Sequence, residues 1–202
     1  MPTKANKSYH HGNLRRALLS EALRIIAAEG VAGLTLRAVG DRLGVSRTAL
    51  YRHFADKAAL LAAVACDGFR AFRHELSVAW TRSGGGVEGF EAMALAYTWF
   101  ALANPSHYRV MFGTFRDECA RDHQLVAEAK ASFEVLMAAL ASLQDEGVVR
   151  RDDLATLAHF VWAASHGIAM LAIDGQLGSD VSAAESLTRY TTERLLHAIA
   201  PS

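Results

Sequence analysis

Apolar residues recur along most of the chain at steps of three and four positions, which is the spacing of one face of an α-helix. No stretch alternates regularly between apolar and polar residues, as a half-buried strand would. Alanine and leucine are abundant and there are only three prolines, which also favours helices over strands. The pattern predicts an all-α protein with about nine helices.

Residues 35–57 predict two short helices joined by a tight turn. Leu36, Val39 and Leu43 form the apolar stripe of the first helix. Thr35 precedes this stripe and suits the capping position, where a hydroxyl accepts a hydrogen bond from a free backbone N–H. The first helix is therefore expected to cover residues 36–43.

The turn and the second helix complete a helix-turn-helix pattern. Gly44 tolerates the positive φ at which a helix ends, and Ser46 suits the cap of the next helix. Leu50 and Phe54 share one side of that helix. The other side carries mostly hydrogen-bond donors, namely Arg47, Thr48, Tyr51, Arg52 and His53. The pattern predicts that this second helix lies in the major groove of DNA.

Charge is unevenly distributed, although the 21 basic and 21 acidic residues of the whole chain cancel. Residues 1–60 contain ten basic and four acidic side chains, so this part has a net charge of +6 and the remainder −6. A basic end on an otherwise acidic chain suits a polyanionic partner at that end. The alternative is a helical hairpin with a solvated face that binds no nucleic acid.

Three parts are predicted along the chain. Residues 1–12 are expected to be a flexible basic arm, in which Lys4 and Lys7 either contact phosphates or the minor groove, or remain solvated. Residues 13–57 are the predicted helix-turn-helix DNA-binding domain. Residues 58–202 are the predicted ligand-binding and dimerisation domain, which is also helical.

Two longer helices frame the DNA-binding motif. The first is expected from about Asn13 to Glu29, where Gly30 ends it. The second begins at Asp56 and reaches about Trp80, which is longer than a small three-helix core requires. Such a helix would join the DNA-binding part to the part of the chain that follows it.

Large apolar and aromatic residues are concentrated in the C-terminal part. They are interpreted as core residues, some of which line a ligand cavity, because ligand sites are mostly apolar with a few polar groups. His159 and His166 are interpreted as core histidines, pocket donors or, less readily, metal ligands. The predicted pocket residues are Phe72, Trp99, Tyr108, Met111, Phe133, Trp162 and His166.

The helix predicted over residues 154–173 is apolar nearly all round, so it must be buried nearly all round. A chain of this size cannot easily cover both this helix and the last one from within. The prediction is a two-fold homodimer in which both helices pack against a second copy. The residues assigned to the interface are Leu157, Val161, Ala164, Ile168, Leu187 and Leu195.

Several function classes are disfavoured by what the sequence lacks. It has no GxSxG, HExxH, phosphate-loop or paired-cysteine motif, so neither an enzyme nor a metal or cofactor site is expected. Cys66 and Cys119 are interpreted as reduced core residues, with an oxidation sensor as the alternative. No apolar run approaches the roughly 18 residues of a membrane span, and no secretion signal is seen, so a cytoplasmic location without membrane contact is expected.

The segment GVSRTALYRHFADKAALL, residues 44–61, resembles the DNA-binding helix and following helix start of the tetracycline-repressor (TetR) family. YHHGNLRRALLSEA resembles the opening of one subgroup, and VWAASHGIAML resembles the WHG-type C-terminal domain of some members. The resemblance implies a dimeric repressor that binds a palindromic operator in double-stranded DNA. It also implies release by a small apolar or amphipathic effector; the alternative is a C-terminal domain that only dimerises.

The DNA contacts of the family carry over position by position. By resemblance, Arg47 and Thr48 match positions that face base edges, whereas Tyr51, His53 and Lys57 match phosphate contacts. Ala49 stands where other members offer a polar group, so that contact is not implied. The full predicted DNA-binding set is Arg37, Ser46, Arg47, Thr48, Tyr51, His53 and Lys57.

Overall fold

A computed structural model describes residues 11–113, 122–178 and 180–201, with side chains from residue 14 onward. Across these ranges the chain is all-helical, as predicted, with nine helices and no strand. The helices are α1 (His11–Gly33), α2 (Leu36–Leu43), α3 (Arg47–Tyr51), α4 (Lys57–Arg82), α5 (Gly86–Ala103), α6 (Pro105–Phe112), α7 (His123–Asp145), α8 (Leu154–Ile173) and α9 (Val181–Ile199).

The first helix begins earlier than its sequence pattern predicts. His11 and Gly12 are helical, so the last two residues of the predicted flexible arm belong to α1. The contacts predicted for Lys4 and Lys7 lie outside the described residues. Gly30 has φ 70° and ψ 176°, which interrupts α1 near its predicted end before one further turn follows.

At 26 residues, or about 39 Å, α4 connects the two ends of the fold. It packs against α1, α5, α6 and α7. Leu60, Leu61 and Val64 are fully buried in its first turns, and Phe72 and Leu76 are buried further along. The buried apolar side chains of the described residues therefore form a continuous core from α1 to α9.

The stripe of α8 that was assigned to the dimer interface faces the core of the chain instead. Leu157, Val161 and Ile168 are buried inside the chain, as is Leu195 of α9, so these four are core residues of a single copy. Ala164 is partly buried against the same core. The reason is that α8 packs against α5, α7 and α9 through this stripe.

The outward face of α8 is apolar as well. Phe160 and Leu171 are exposed on it, with Ala163 and Gly167 between them. By length and composition, with a mean hydropathy of 1.4, the 20-residue helix is apolar enough to span a membrane, although only 28% of its most apolar window is buried inside the chain. This corrects the prediction that no apolar run reaches such a length. The core helix of a soluble protein also meets this criterion of length and composition.

The crossing of α4 and α6 depends on a glycine. A Cβ added to Gly68 in α4 would lie 2.6 Å from Sδ of Met111 and 3.3 Å from Cδ2 of His107, both in α6. Met111 is fully buried, so a methyl group at position 68 requires its side chain to shift against buried neighbours. The absence of a side chain at position 68 thus sets how closely α6 approaches α4.

We expect Gly68→Ala to lower the free energy of unfolding by about 1–3 kcal/mol, because the added methyl group overpacks a filled space. Urea-induced unfolding measures this change. In a Met111→Ala background, the same substitution should cost much less, because the space is vacated. An equal cost in both backgrounds would contradict the proposed contact.

Candidate nucleic-acid interface and internal cavity

The short helix α3 is held by its cap and by two buried side chains. The Ser46 hydroxyl accepts a hydrogen bond from the backbone N–H of Ala49 at 3.2 Å. Leu50 and Phe54 are buried, as their spacing predicts. A Cβ on Gly40 of α2 would lie 3.2 Å from the Leu50 side chain, so α2 and α3 pack closely. These contacts fix the face of α3 that points outward.

The outward face of α3 consists of polar and basic side chains. Arg47, Thr48, Tyr51 and Arg52 are exposed, with Tyr51 at 55%, and His53 is half-buried. Within the described part of the chain, Arg47 and Arg52 form no ion pair. Both guanidinium groups are therefore available to an external anion.

The acidic side chains of α1 and α2 are paired internally. The nearly buried carboxylate of Glu21 lies 2.9 Å from Arg24 and 3.7 Å from Arg42. Arg42 also contacts Glu29 at 2.5 Å. Because these carboxylates are neutralised away from α3, they do not offset the positive charge of its outward face.

Two further residues of the predicted DNA-binding set have partners within the protein. The ammonium group of Lys57 donates a hydrogen bond to the carbonyl oxygen of Val31 at 2.8 Å. Arg37 pairs with Asp41 at 3.4 Å on the exposed side of α2. Lys57 therefore ties the start of α4 to the segment after the Gly30 interruption, a long-range contact that no local pattern indicates.

A cavity of about 680 Å³ lies among α4, α5, α7 and α8. Its wall is mostly aromatic and aliphatic, and Lys130 is its one formally charged lining residue among those described. Three of the predicted pocket residues, Phe72, Phe133 and Trp162, line it. Its main other lining residues are Phe69, Leu76, Phe90, Met93, Tyr97, Phe112, Leu125, Ala129, Leu136, His159 and Ser165.

The other predicted pocket residues lie elsewhere. Tyr108 and Met111 are fully buried behind the wall, because α6 is enclosed by its neighbours. Trp99 is 44% exposed and its indole N–H donates to the Glu185 carboxylate at 2.7 Å, so it belongs to the outer surface. The prediction for Trp99 is wrong because residues 92–103 of α5 carry no charged side chain, and the outward side of the helix is marked only by Glu88 and Glu91 in its first turns.

Four side chains, two of which line the cavity, form a continuous series of hydrogen bonds. The indole N–H of Trp162 donates to the Tyr97 hydroxyl at 3.0 Å, and the hydroxyls of Tyr97 and Tyr108 are 2.8 Å apart. The Tyr108 hydroxyl lies 2.7 Å from Nδ1 of His166. Burial raises the pKa of Tyr97 to about 12 and also raises the pKa of Tyr108. Burial lowers the pKa of His166.

Sequence reasoning selected Tyr108, Trp162 and His166 but not Tyr97, which connects them. The available signal is chemical, because a tyrosine in an otherwise apolar helix requires a partner for its hydroxyl. His159 has a different position, since it lines the cavity at the exposed side and donates from Nδ1 to the Ala155 carbonyl at 2.6 Å. No metal-binding group of histidine, cysteine and acidic residues occurs in the described segments.

Two known protein families match the chain, one in its N-terminal part and one in its C-terminal part. Residues 18–64 match the bacterial regulatory proteins of the tetR family, and residues 90–194 match the tetracyclin repressor-like C-terminal domain. The chain belongs to the TetR family. It is therefore a DNA-binding transcriptional regulator, and members of the family are not enzymes. The family resemblance inferred from residues 44–61 is confirmed.

Individual similar proteins cover different shares of the chain. The tetracycline repressor protein class C of Escherichia coli is 47% identical over 51 residues, which are 25% of this chain and 23% of that protein. The alignment thus spans about a quarter of that repressor. A structure from Rhodococcus sp. RHA1, described as a protein with unknown function, is 31% identical with a TM-score of 0.84, covering 97% of this chain and 100% of that one.

A second Rhodococcus RHA1 structure, a bacterial regulatory protein in the tetR family, shares the fold. It is 16% identical with a TM-score of 0.75, and the alignment covers 93% of this chain and 97% of that chain. At this identity the similarity concerns the fold alone. The two domains of the TetR fold thus account for nearly the whole chain.

Proposed function

We propose that this TetR-family regulator is a cytoplasmic repressor that binds a palindromic operator as a dimer and is released by a small apolar or amphipathic effector. The observation that carries the DNA-reading part is the outward face of α3. There the side chains of Arg47 and Thr48 are exposed and form no hydrogen bond or ion pair among the described residues, on a helix fixed by the Ser46 cap. Such side chains can replace their contacts with water by contacts with base edges.

The proposed contacts divide into two kinds. Arg47 and Thr48 face base edges, and the arginine fork suits O6 and N7 of guanine. Tyr51 and His53 face phosphates, which set affinity and register. Lys57 adds positive charge beside α3 while keeping its bond to the Val31 carbonyl. Arg37 is paired with Asp41 on the exposed side of α2, so it contacts a phosphate by exchanging that partner. Ser46 contributes mainly by capping α3 at its DNA-facing end.

We expect Arg47→Ala to reduce discrimination at one operator base pair by about 1–3 kcal/mol, because a base-edge contact is lost. Lys57→Ala should instead weaken binding to all sequences alike and flatten the salt dependence. Fluorescence anisotropy with the operator and its single-base variants, at several salt concentrations, measures both effects. Urea unfolding of Lys57→Ala corrects for the lost bond to Val31. Indistinguishable behaviour of the two variants would refute this division of roles.

The dimer proposal rests on the outward face of α8. The helix contains no charged residue, and Phe160 and Leu171 are exposed on it. Val181 and Tyr190 add exposed apolar surface on the adjacent α9. Ala163 and Gly167 are small, so a second helix could approach closely between the two larger side chains. A self-complementary apolar face of this kind suits a two-fold interface, in which the same patch serves both copies.

We expect Phe160→Arg to convert the dimer to monomers, because each copy would bring an unpaired charge into the interface. A rise in the dimer dissociation constant on the order of a hundredfold is expected. Analytical ultracentrifugation measures it. Val126→Arg, which replaces an equally exposed apolar side chain on α7, is the matched control. If both variants remain dimers, α8 does not form the interface.

The effector proposal rests on the cavity and on its relation to α4. A volume of about 680 Å³ falls within the range of small-molecule sites. Phe72 and Leu76 of α4 form part of its wall, and α4 begins at Lys57 beside α3. A ligand that favours a displaced α4 would therefore move the reading helix, and about 1–3 kcal/mol of coupling suffices to regulate binding.

Medium-chain alcohols, ketones and carboxylic acids are suitable probes of the cavity. We expect at least one to release the operator and to raise the melting temperature. A ligand at about 100 times its Kd stabilises the protein by about 2.7 kcal/mol. Ala129→Phe should abolish both effects by filling the cavity, while leaving ligand-free operator binding intact. If no compound stabilises the unmodified protein, the C-terminal domain only dimerises.

A further inference from the structure

The hydrogen-bonded series Trp162–Tyr97–Tyr108–His166 begins at the cavity and ends outside it. Trp162 of α8 and Tyr97 of α5 line the cavity, whereas Tyr108 of α6 and His166 of α8 do not. The successive distances are 3.0, 2.8 and 2.7 Å. Each hydroxyl is bonded on both sides, and no buried side-chain polar atom in the described residues lacks a partner.

The chemistry of the two ends determines the direction of the hydrogen bonds. The Trp162 indole N–H can only donate. His166 is half-buried among the rings of Tyr108, Phe112 and Trp162, at centroid distances of 5.6, 5.2 and 5.8 Å. Burial lowers the pKa of His166, which favours the neutral ring, and the Nε2–H tautomer of that ring accepts through Nδ1. Trp162 accordingly donates to Tyr97, Tyr97 to Tyr108, and Tyr108 to His166.

This direction leaves no proton for a ligand. With all three protons used within the series, the Tyr97 oxygen keeps one lone pair and has no O–H to offer to the cavity. If His166 were the donor, the series would reverse and the Tyr97 O–H would have only the cavity as its partner. That arrangement takes the Tyr97 proton out of the series and points it at a wall of mostly apolar side chains, so it is disfavoured.

We propose that the Tyr97 hydroxyl is the polar subsite of the cavity, and that Tyr108 and His166 set it to accept a hydrogen bond. The ligand class is then an apolar molecule carrying an alcohol or another O–H or N–H donor. A ketone or other pure acceptor binds less well, because it requires the series to reverse. This inference rests on the proposed effector-binding function and names the ligand chemistry of the same cavity.

The inference predicts that substitutions outside the cavity change its preference. In His166→Leu, Tyr108 loses its acceptor and donates to Tyr97 instead, which directs the Tyr97 O–H into the cavity. In Tyr108→Phe, the Tyr97 O–H also loses its acceptor and turns to the cavity. Both variants should shift binding from alcohol towards ketone by roughly twofold to tenfold, the range expected for one hydrogen bond.

The probes are methyl nonyl ketone and the alcohol formed by its reduction, which share one carbon skeleton. Isothermal titration calorimetry on the full-length protein gives the ratio of their affinities in the unmodified chain and in each variant. Arg109→Gln is the matched control, because Arg109 joins the same two helices through Asp174 at 2.7 Å without touching the series. Its affinity ratio should equal that of the unmodified protein.

The possible results separate the two proposals. A shift towards ketone in His166→Leu and Tyr108→Phe, but not in Arg109→Gln, supports the subsite. An unchanged ratio in variants that still bind both probes overturns the subsite and leaves the effector cavity standing. Equal weakening of both probes in the two variants indicates a purely structural role for the series and also overturns it. Failure of the unmodified protein to bind either probe overturns both the subsite and the cavity's proposed role for this ligand class.

Discussion

The packing of α6 against α4 is the contact on which the relation between the two ends of the molecule depends. At Gly68 the two helices approach as closely as backbone and the Met111 side chain allow. The same short helix packs on α1 and is bonded to α8 through Tyr108 and Arg109. Since α6 contacts α1, α4 and α8, its position cannot change without affecting all three.

Local features of the DNA-binding part could be predicted because their causes are local. Thr35 and Ser46 each accept a hydrogen bond from an N–H three residues later, and Gly44 adopts φ 65° directly after α2. Such caps and turns are set within a few residues of chain. Lys57 shows the limit of this reasoning, because its partner Val31 lies 26 residues away and no spacing indicates it.

The helix α8 and the second half of α5 were harder to interpret because they contain no charged residue to mark an outward side. In α8 the stripe containing Val161 and the stripe containing Phe160 are equally plausible inner faces, and only packing against α5, α7 and α9 distinguishes them. In α5 the same ambiguity placed Trp99 in the cavity although it lies outside, and left Tyr97 unselected. Amphipathic periodicity carries no information where a helix has no polar face.

The residues that stabilise α3 are different from the residues exposed on its outward face, and this difference bears on how the DNA specificity can evolve. Leu50, Phe54 and the Ser46 cap maintain the helix, whereas the side chains of Arg47 and Thr48 form no hydrogen bond or ion pair within the described part of the protein. Exchange of exposed residues of this kind usually changes stability very little. Descendants of this chain could therefore acquire new operator preferences through changes at these two positions while the scaffold stays under unchanged selection.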